Sequence, residues 1–550
     1  MRGGFFMQAR ILHPSLRAAS RAVLLVGALF LCACPSEGGP RPEPFDAGTP
    51  PIPRFTLELE AAPVTVAQGA RVTTTVRLSR LDGFREAVSL ELSDPPAGLS
   101  APPLSVGAGE SQAEWLLEAA PDAPVGGPHV PRVHAVGGGL EQQGVLTVHI
   151  TRPPPGSLDP TFGRGGRVVL EAAPGSLRGG RSLPREDGTW VIAAQVIAND
   201  GYSFGAWLDR FLVDGRRDPA FRSSDVLFQD FLETTHTLVR DGDGALLCAS
   251  EGSLSRYLRD GGVDVDFGSG GLVRINELDH RVLRPRALAV LPEGRLLLGG
   301  GVADCDRGSS RCLVGCDGCT PFGLARLTPL GALDTSFGHG GFVATALGQD
   351  AEVRALRLQQ DGRVIAAGVA RTAERRLLFV ARFLADGTLD PGFHGTGVHA
   401  LEWNPTGRDW VDVSVLSGGE PVVVVEHEGD FRLVRFTSAG ELDASFGTGG
   451  IVTTDFLGGV DEPSVLVPLA GDRLLVGGTR WADGGGSRSA VLARYQPDGT
   501  LDAMFGSGGR SVVGPGGVWA LHLLPDGHLF VLLREGSGFE ESLVLGRILP

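Results

Sequence analysis

A nine-residue phrase, Leu-Asp-x-x-Phe-Gly-x-Gly-Gly, recurs through the last two-thirds of this 550-residue chain and constrains its fold more than any other feature. Clean copies begin at Leu333 and Leu442, and others at Leu158 and Leu501. Val263-Asp-Val-Asp-Phe-Gly268 and Leu389-Asp-Pro-Gly-Phe393 are close variants, and Arg217-Asp-Pro-Ala-Phe221 is a decayed one. The seven aspartates stand at 159, 218, 264, 334, 390, 443 and 502, so the intervals are 59, 46, 70, 56, 53 and 59 residues. A repeat of this length is one supersecondary unit that buries its apolar surface against its neighbours, in a stack or a ring.

Two further phrases accompany it. A turn followed by an apolar run falls midway through each unit, as in Leu291-Pro-Glu-Gly-Arg-Leu-Leu-Leu-Gly-Gly300 and Gln360-Asp-Gly-Arg-Val-Ile-Ala-Ala-Gly368. Asp-Gly between β-runs marks a hairpin, because Gly takes positive φ freely and Asp tolerates it. A third run, such as Val380-Ala-Arg-Phe383 or Leu492-Ala-Arg-Tyr495, leads into the next Leu-Asp phrase. Each unit therefore offers four strands; in the unit before Leu389 they are expected at 353–358, 363–367 and 377–383, then 398–401 after the phrase. Seven such units predict a seven-bladed β-propeller. The chain enters the repeats with a phrase and one strand, 167–170, and ends on the third strand of the last unit. A three-plus-one closure, with 167–170 completing the blade of 518–549, would remove the free sheet edges. These phrases resemble the bacterial delta-60 repeat. The resemblance covers Leu158 to Pro550 and carries no catalytic signature.

Before the repeats lie four segments. Residues 1–33 have a positive start (Arg2, Arg10, Arg17, Arg21) and an apolar run, 22–33, of signal-peptide length. The run ends Leu31-Cys-Ala-Cys34, which resembles a bacterial lipobox and implies lipidation at Cys34, hence export and anchoring to the cell envelope, with the outer membrane the expected site. Residues 34–54 are a Pro-rich tether; seven of the twenty residues 35–54 are Pro. Polyproline stiffness gives such a tether a reach of up to ~60 Å. Residues 55–151 carry period-two runs (55–60, 72–78, 88–92, 145–150) and Pro/Gly breaks, the pattern of a β-sandwich; its turns resemble those of Ig-like modules. Residues 152–157 read as a short stiff linker. The fold class is thus all-β, a propeller preceded by an Ig-like sandwich.

Function is less legible. A net charge of −15 argues against nucleic-acid binding, which needs clustered Lys and Arg. The phrase aspartates do not converge on one point as Ca²⁺ requires, and are expected to close Asx turns while Leu and Phe pack between blades. Cys305, Cys312, Cys316 and Cys319 share one insertion. In an exported protein they are expected as two disulfides, with zinc the alternative and no other metal or cofactor expected. Cys248 reads as a buried free thiol. Aligning the units places Gly180, His236, Arg286, Arg354, Val411, Ser464 and Trp519 at one level of the channel; His236, Arg286, Arg354, Ser464 and Trp519 are the candidate binding residues. The expectation is a monomeric binding or scaffold module for a protein or glycan ligand. The alternative is a hydrolase or lyase using the channel mouth.

Overall fold

The computed structural model describes residues 52–171, 176–197, 204–222, 237–250, 252–275, 282–303, 320–456, 458–482, 487–536 and 541–550. The signal region with Cys34, the four clustered cysteines and His236 lie outside the described residues. No α-helix occurs among the described residues, and the described fold belongs to one compact unit, Pro53–Pro550.

Residues 54–151 form two four-stranded antiparallel sheets and a small three-stranded sheet around one core that includes Phe55, Trp115 and Ile150. The Trp115 indole N–H donates to the Pro102 carbonyl at 2.7 Å, which satisfies the one polar atom of that buried side chain. The run 145–150 is not one strand, as its alternation suggests. Leu140–Val145 pairs with Arg132–Gly137, and after Leu146 the chain changes sheet, where Val148–Thr151 pairs with Val64–Ala67. Leu146 is buried at the corner and its amide donates to Pro131, so the break costs no backbone hydrogen bond.

Among the described residues seven antiparallel sheets follow, numbered here in chain order. Sheet 1 has strands Ser176–Pro184, Trp190–Ile197 and Phe204–Phe211; a fourth strand after the decayed phrase would fall in 223–236, outside the described residues. Sheets 2 to 6 have four strands each and open with Thr237–Arg240, Val282–Val290, Asp350–Leu358, Val411–Val415 and Val460–Pro468. Sheet 7 joins Gly517–Leu523, Leu529–Glu535 and Ser542–Ile548 to Arg167–Leu170, which pairs from Arg167↔Gly546 to Leu170↔Leu543. The first strands touch in order, and that of sheet 7 touches that of sheet 1, so the sheets close into a ring.

The core lies between the sheets. Seven apolar clusters each draw on two successive sheets, and the one bridging sheets 7 and 1 stacks Trp190 on Phe530 with centroids 3.5 Å apart. A middle strand therefore has apolar neighbours on both faces. This explains why Pro421-Val-Val-Val-Val425 is continuously apolar rather than alternating, and why all five residues are buried.

The phrase supplies a second tie. In every copy the Asp Oδ1 accepts a hydrogen bond from the amide two residues on: 2.9 Å at Asp159 and 3.0 Å at Asp443. Its Oδ2 takes an Arg from the third strand of the same sheet, at 2.7 to 2.8 Å. In six copies the guanidinium also lies over the phrase Phe, 4.6 Å from the centroid for Arg435 over Phe446. The Ser445 hydroxyl, against a smaller effect of burial, and then the Ser445 amide and Arg435 hold Asp443 below the usual carboxylate range.

Each phrase Phe reaches the next sheet and lies on a turn glycine there. The seven pairs run from Phe162 and Gly215 round to Phe505 and Gly156. A Cβ at Gly387 would stand 2.8 Å from the Phe337 ring, and Gly387 also has φ +93°, so glycine is required twice over. Sheet 7 has no such turn of its own. Pro154–Gly156 takes its place: the Gly506 amide donates to the Pro155 carbonyl at 2.9 Å, and the Gly156 amide donates to Leu549 at 2.9 Å. The segment expected as a linker is part of the ring.

Replacing Asp443 with Ala should strand a mostly buried Arg435 and open the Asx turn, at a cost of about 2–3 kcal/mol. Removing Glu402, whose pairing with Arg375 is exposed on both sides, should cost under ~0.5 kcal/mol. Urea denaturation midpoints check the contrast; equal shifts would contradict it.

Candidate binding face of the ring

Within each antiparallel sheet, the first strand starts on the face where the second ends and the third begins. The phrases and Asp-Gly hairpins occupy the opposite face. Residues near the starts of the first strands therefore converge on one mouth of the channel.

A β-bulge sits near that point in five first strands. The register shifts between 285 and 287, 353 and 355, 463 and 465, and 518 and 520, which sets Arg286, Arg354, Ser464 and Trp519 apart from the ladder. These are four of the five candidate residues. A bulge re-aims a side chain, and here it supplies the variable position wherever it occurs. In sheet 1 the bulged residue is Gly179, one position before the expected Gly180; Val411 stays in register opposite Val425. The bulge also explains the glycine that ends the second phrase. Gly300, Gly368 and Gly478 face it, and a Cβ there would collide with the carbonyl oxygens of Arg284, Glu352 and Glu462.

Among the described residues, two lobes of this face border the bulged positions. The larger, between sheets 3 and 4, is a cavity of about 500 Å³, within the range of small-ligand sites. Glu352 clamps both bulged arginines, accepting from Arg286 Nε at 2.9 Å and facing an Arg354 terminal nitrogen at 2.8 Å. Trp403 forms one wall, its indole N–H donating to the Glu426 carbonyl at 2.5 Å. Arg376 bonds Asp409 at 3.0 Å across the rim. The smaller lobe, about 30 Å³, has room for one water. Trp410 and Trp519 meet edge to face there, 5.6 Å between centroids, and Arg181 lies 5.9 and 5.8 Å from them. Burial, against the pull of Asp412, lowers Arg181 to about 10, so it stays cationic at neutral pH. The Ser464 hydroxyl lies 2.6 Å from the Val518 carbonyl and 3.1 Å from that of Gly477, so it ties sheets 6 and 7 together instead of facing a ligand.

Sequence alignment missed Arg181 and Trp410. Arg181 follows a bulge that is displaced by one residue, and Trp410 precedes its strand. One signal was present: of the seven Trp, four (Trp115, Trp190, Trp207, Trp403) are core, Trp403 also bordering the larger lobe, whereas Trp410, Trp481 and Trp519 line the smaller one.

Other candidate groups have structural partners. Arg256 lies between Asp241 and Asp264, with contacts of 2.5 and 2.7 Å, and neutralises both carboxylates. Cys248 is unpaired, and burial pushes its thiol up to about 12, so it is inert. Two groups of possible metal ligands occur among the described residues: His394, His399 and Glu441 on the phrase face, and Asp430, Asp455 and Asp461 on the mouth side. In the first, His394 bonds Glu441 at 2.9 Å and His399 bonds the Gly440 carbonyl at 2.6 Å.

Three segments match a β-propeller family. The family is described as "Domain of unknown function (DUF5122) beta-propeller", and the matches cover residues 359–393, 416–446 and 472–505. Each runs from the turn before a second strand to a phrase Phe. The fold is all-β with β-propeller repeats. No curated protein matches the chain. Similar solved structures include domains 4 and 5 of the S-layer protein SbsC (18% identity, 18% of this chain and 54% of that one, TM-score 0.14). Prolyl oligopeptidase B from Galerina marginata aligns at 10% identity over 66% of this chain and 55% of that one, with a TM-score of 0.31. An endo-arabinase from Bacteroides thetaiotaomicron aligns at 13% identity over 50% of this chain and 96% of that one, with a TM-score of 0.25. The chain spans about half the length of the first two.

Near the phrase-side end of the channel, Ser182 of sheet 1 and His522 of sheet 7 are hydrogen-bonded at 3.0 Å across the closing seam. Burial, only partly offset by the Ser182 hydrogen bond, lowers the imidazole to about 4. An unfolded His titrates near 6.5, so unfolding takes up a proton between about pH 4 and 6.5. The stability tied to neutral His522 is full above that window and lost as pH falls through it, by roughly 1–3 kcal/mol. His522→Gln should flatten this loss in denaturation midpoints measured from pH 7 to 4; an unchanged slope would contradict it.

Proposed function

We propose that this protein is an exported, lipid-anchored binding module: a seven-bladed propeller of the delta-60 type, held off the membrane by a tether and an Ig-like spacer, that binds an acidic glycan in the cavity between sheets 3 and 4. The charge of that cavity carries the reading. It is lined by five arginines, at 284, 286, 354, 371 and 376. Three carboxylates, at 350, 352 and 409, oppose them. The balance of +2 stands on a chain whose net charge is −15.

Guanidinium forks pair with carboxylates in two parallel hydrogen bonds, which suits the acidic groups of such a glycan. Glu352 holds Arg286 and Arg354 in place before a ligand arrives, which lowers the ordering cost of binding. The mouth carboxylates Glu352, Glu462 and Asp409 each already serve an Arg or a Trp.

Binding to a panel of acidic and matched neutral oligosaccharides tests the proposal. An acidic member should bind, and Arg354→Ala should weaken it at least tenfold while exposed Arg222→Ala leaves it unchanged. Equal binding of neutral partners, or an indifferent Arg354→Ala, would refute it. The anchor is tested separately: Cys34→Ala should move the protein from the membrane to the soluble fraction, and unchanged partition would remove the lipoprotein assignment.

A further inference from the structure

The second acidic group remains unexplained by the fold or by the binding face. Asp430 opens the third strand of sheet 5, just after the tight Glu428-Gly429 hairpin. Asp455 follows the fourth strand of that sheet, Ile451–Thr454, and Asp461 lies in the first strand of sheet 6. Three chain segments from two sheets thus bring carboxylate oxygens within 4.8 Å of one another. Oxygens on a sphere of radius about 2.4 Å, the Ca²⁺–oxygen distance, are separated by no more than about 4.8 Å.

The surrounding hydrogen bonds leave part of the cluster uncommitted. Asp461 Oδ2 accepts from the Phe456 amide at 2.6 Å, and Asp455 Oδ1 accepts from Gly458 at 2.7 Å. The Asp461 amide donates to the Gly429 carbonyl at 2.6 Å, which fixes the hairpin against sheet 6. Asp461 itself is fully buried, 0% exposed, and its Oδ1 has no hydrogen-bond partner. Buried carboxylate oxygens are almost always satisfied, because lost hydration has to be replaced. Glu426 next door shows the ordinary solution: its two oxygens accept from the Thr406 amide and hydroxyl, Gly407 and Gly429. No such set of donors surrounds Asp461. The neighbouring charges are Arg480 beside Asp461, and Arg432, Glu426 and Glu428 beside Asp430.

We propose that Asp430, Asp455 and Asp461 hold one hard divalent cation of the calcium type, which pins the hairpin of sheet 5 to the first strand of sheet 6. An all-oxygen donor set selects Ca²⁺ over the softer metals, and three carboxylates with added water reach its coordination number. The cation supplies what the buried oxygen lacks. The site is independent of the glycan-binding proposal, since its residues line neither lobe.

The test is calorimetric titration of the EDTA-stripped full chain with Ca²⁺, paired with thermal melting in EDTA and in 1 mM Ca²⁺. One Ca²⁺ per chain should bind at this site, and the melting temperature should rise by at least about 2 °C. Asp461→Asn and Asp430→Asn should each weaken binding at least tenfold, and Glu441→Gln, in the other cluster, should not. Asp430 is only partly buried, so Asp430→Asn serves if Asp461→Asn does not fold. No binding by the parent chain, or binding unchanged in a folded variant, would overturn the site.

Discussion

The structure depends on one contact made seven times: a phrase Phe lying on a turn glycine of the next sheet. The Asp of the same phrase orients it. Its Oδ1 closes an Asx turn and its Oδ2 holds a third-strand Arg, and in most copies that Arg covers the Phe ring. Several of these arginines reach further; Arg326 donates to the Ala385 carbonyl of the next sheet at 2.6 Å. One short sequence thus links turn geometry, an ion pair and the packing of two sheets. It also explains why the phrase has no chemistry to offer. Its carboxylate is fully used, and its aromatic is buried against backbone.

This arrangement separates the two faces of the ring. The phrase face repeats the Asx turn, the Asp–Arg pair and the Phe–Gly contact in each unit, because the clasp tolerates little change. The mouth is where units differ, because in five of the first strands a bulge there frees one residue from the ladder. Arg286, Arg354, Ser464 and Trp519 occupy equivalent positions with unlike chemistry, and only the two arginines border a cavity large enough for a ligand. Ser464 has turned its hydroxyl to the backbone. The same logic places the acidic group of Asp430, Asp455 and Asp461 at the mouth side but outside both lobes, between sheets, where a tie has structural consequences.

Much of the architecture was legible because the repeat fixes spacing. The strands expected at 353–358, 377–383 and 398–401 are present, and Arg167–Leu170 pairs with Ser542–Ile548. Other features depend on contacts that no periodicity carries. Val145–Ile150 alternates like one strand, but burial of Leu146 turns the chain into another sheet. Pro154–Gly156 has the composition of a linker and acts as a missing turn. Gly368 looks like a strand glycine chosen for flexibility, yet a bulge carbonyl behind it is the reason. Arg181 meets Trp410 and Trp519 only because the ring closes, and the three aspartates meet only because a hairpin and a loop fold toward each other.

The fold rests on the ring being closed by chain segments about 350 to 390 residues apart, with Asp159 pairing to Arg547 and Phe505 packing on Gly156. Hydrogen–deuterium exchange at the amides of Arg167–Leu170 tests this most directly. Those hydrogen-bonded to Ser542–Ile548 should be protected as strongly as their counterparts in Ile451–Thr454, the outer strand of sheet 5. Exchange at the rate of an unstructured strand, with sheet 5 still protected, would mean that the ring is open.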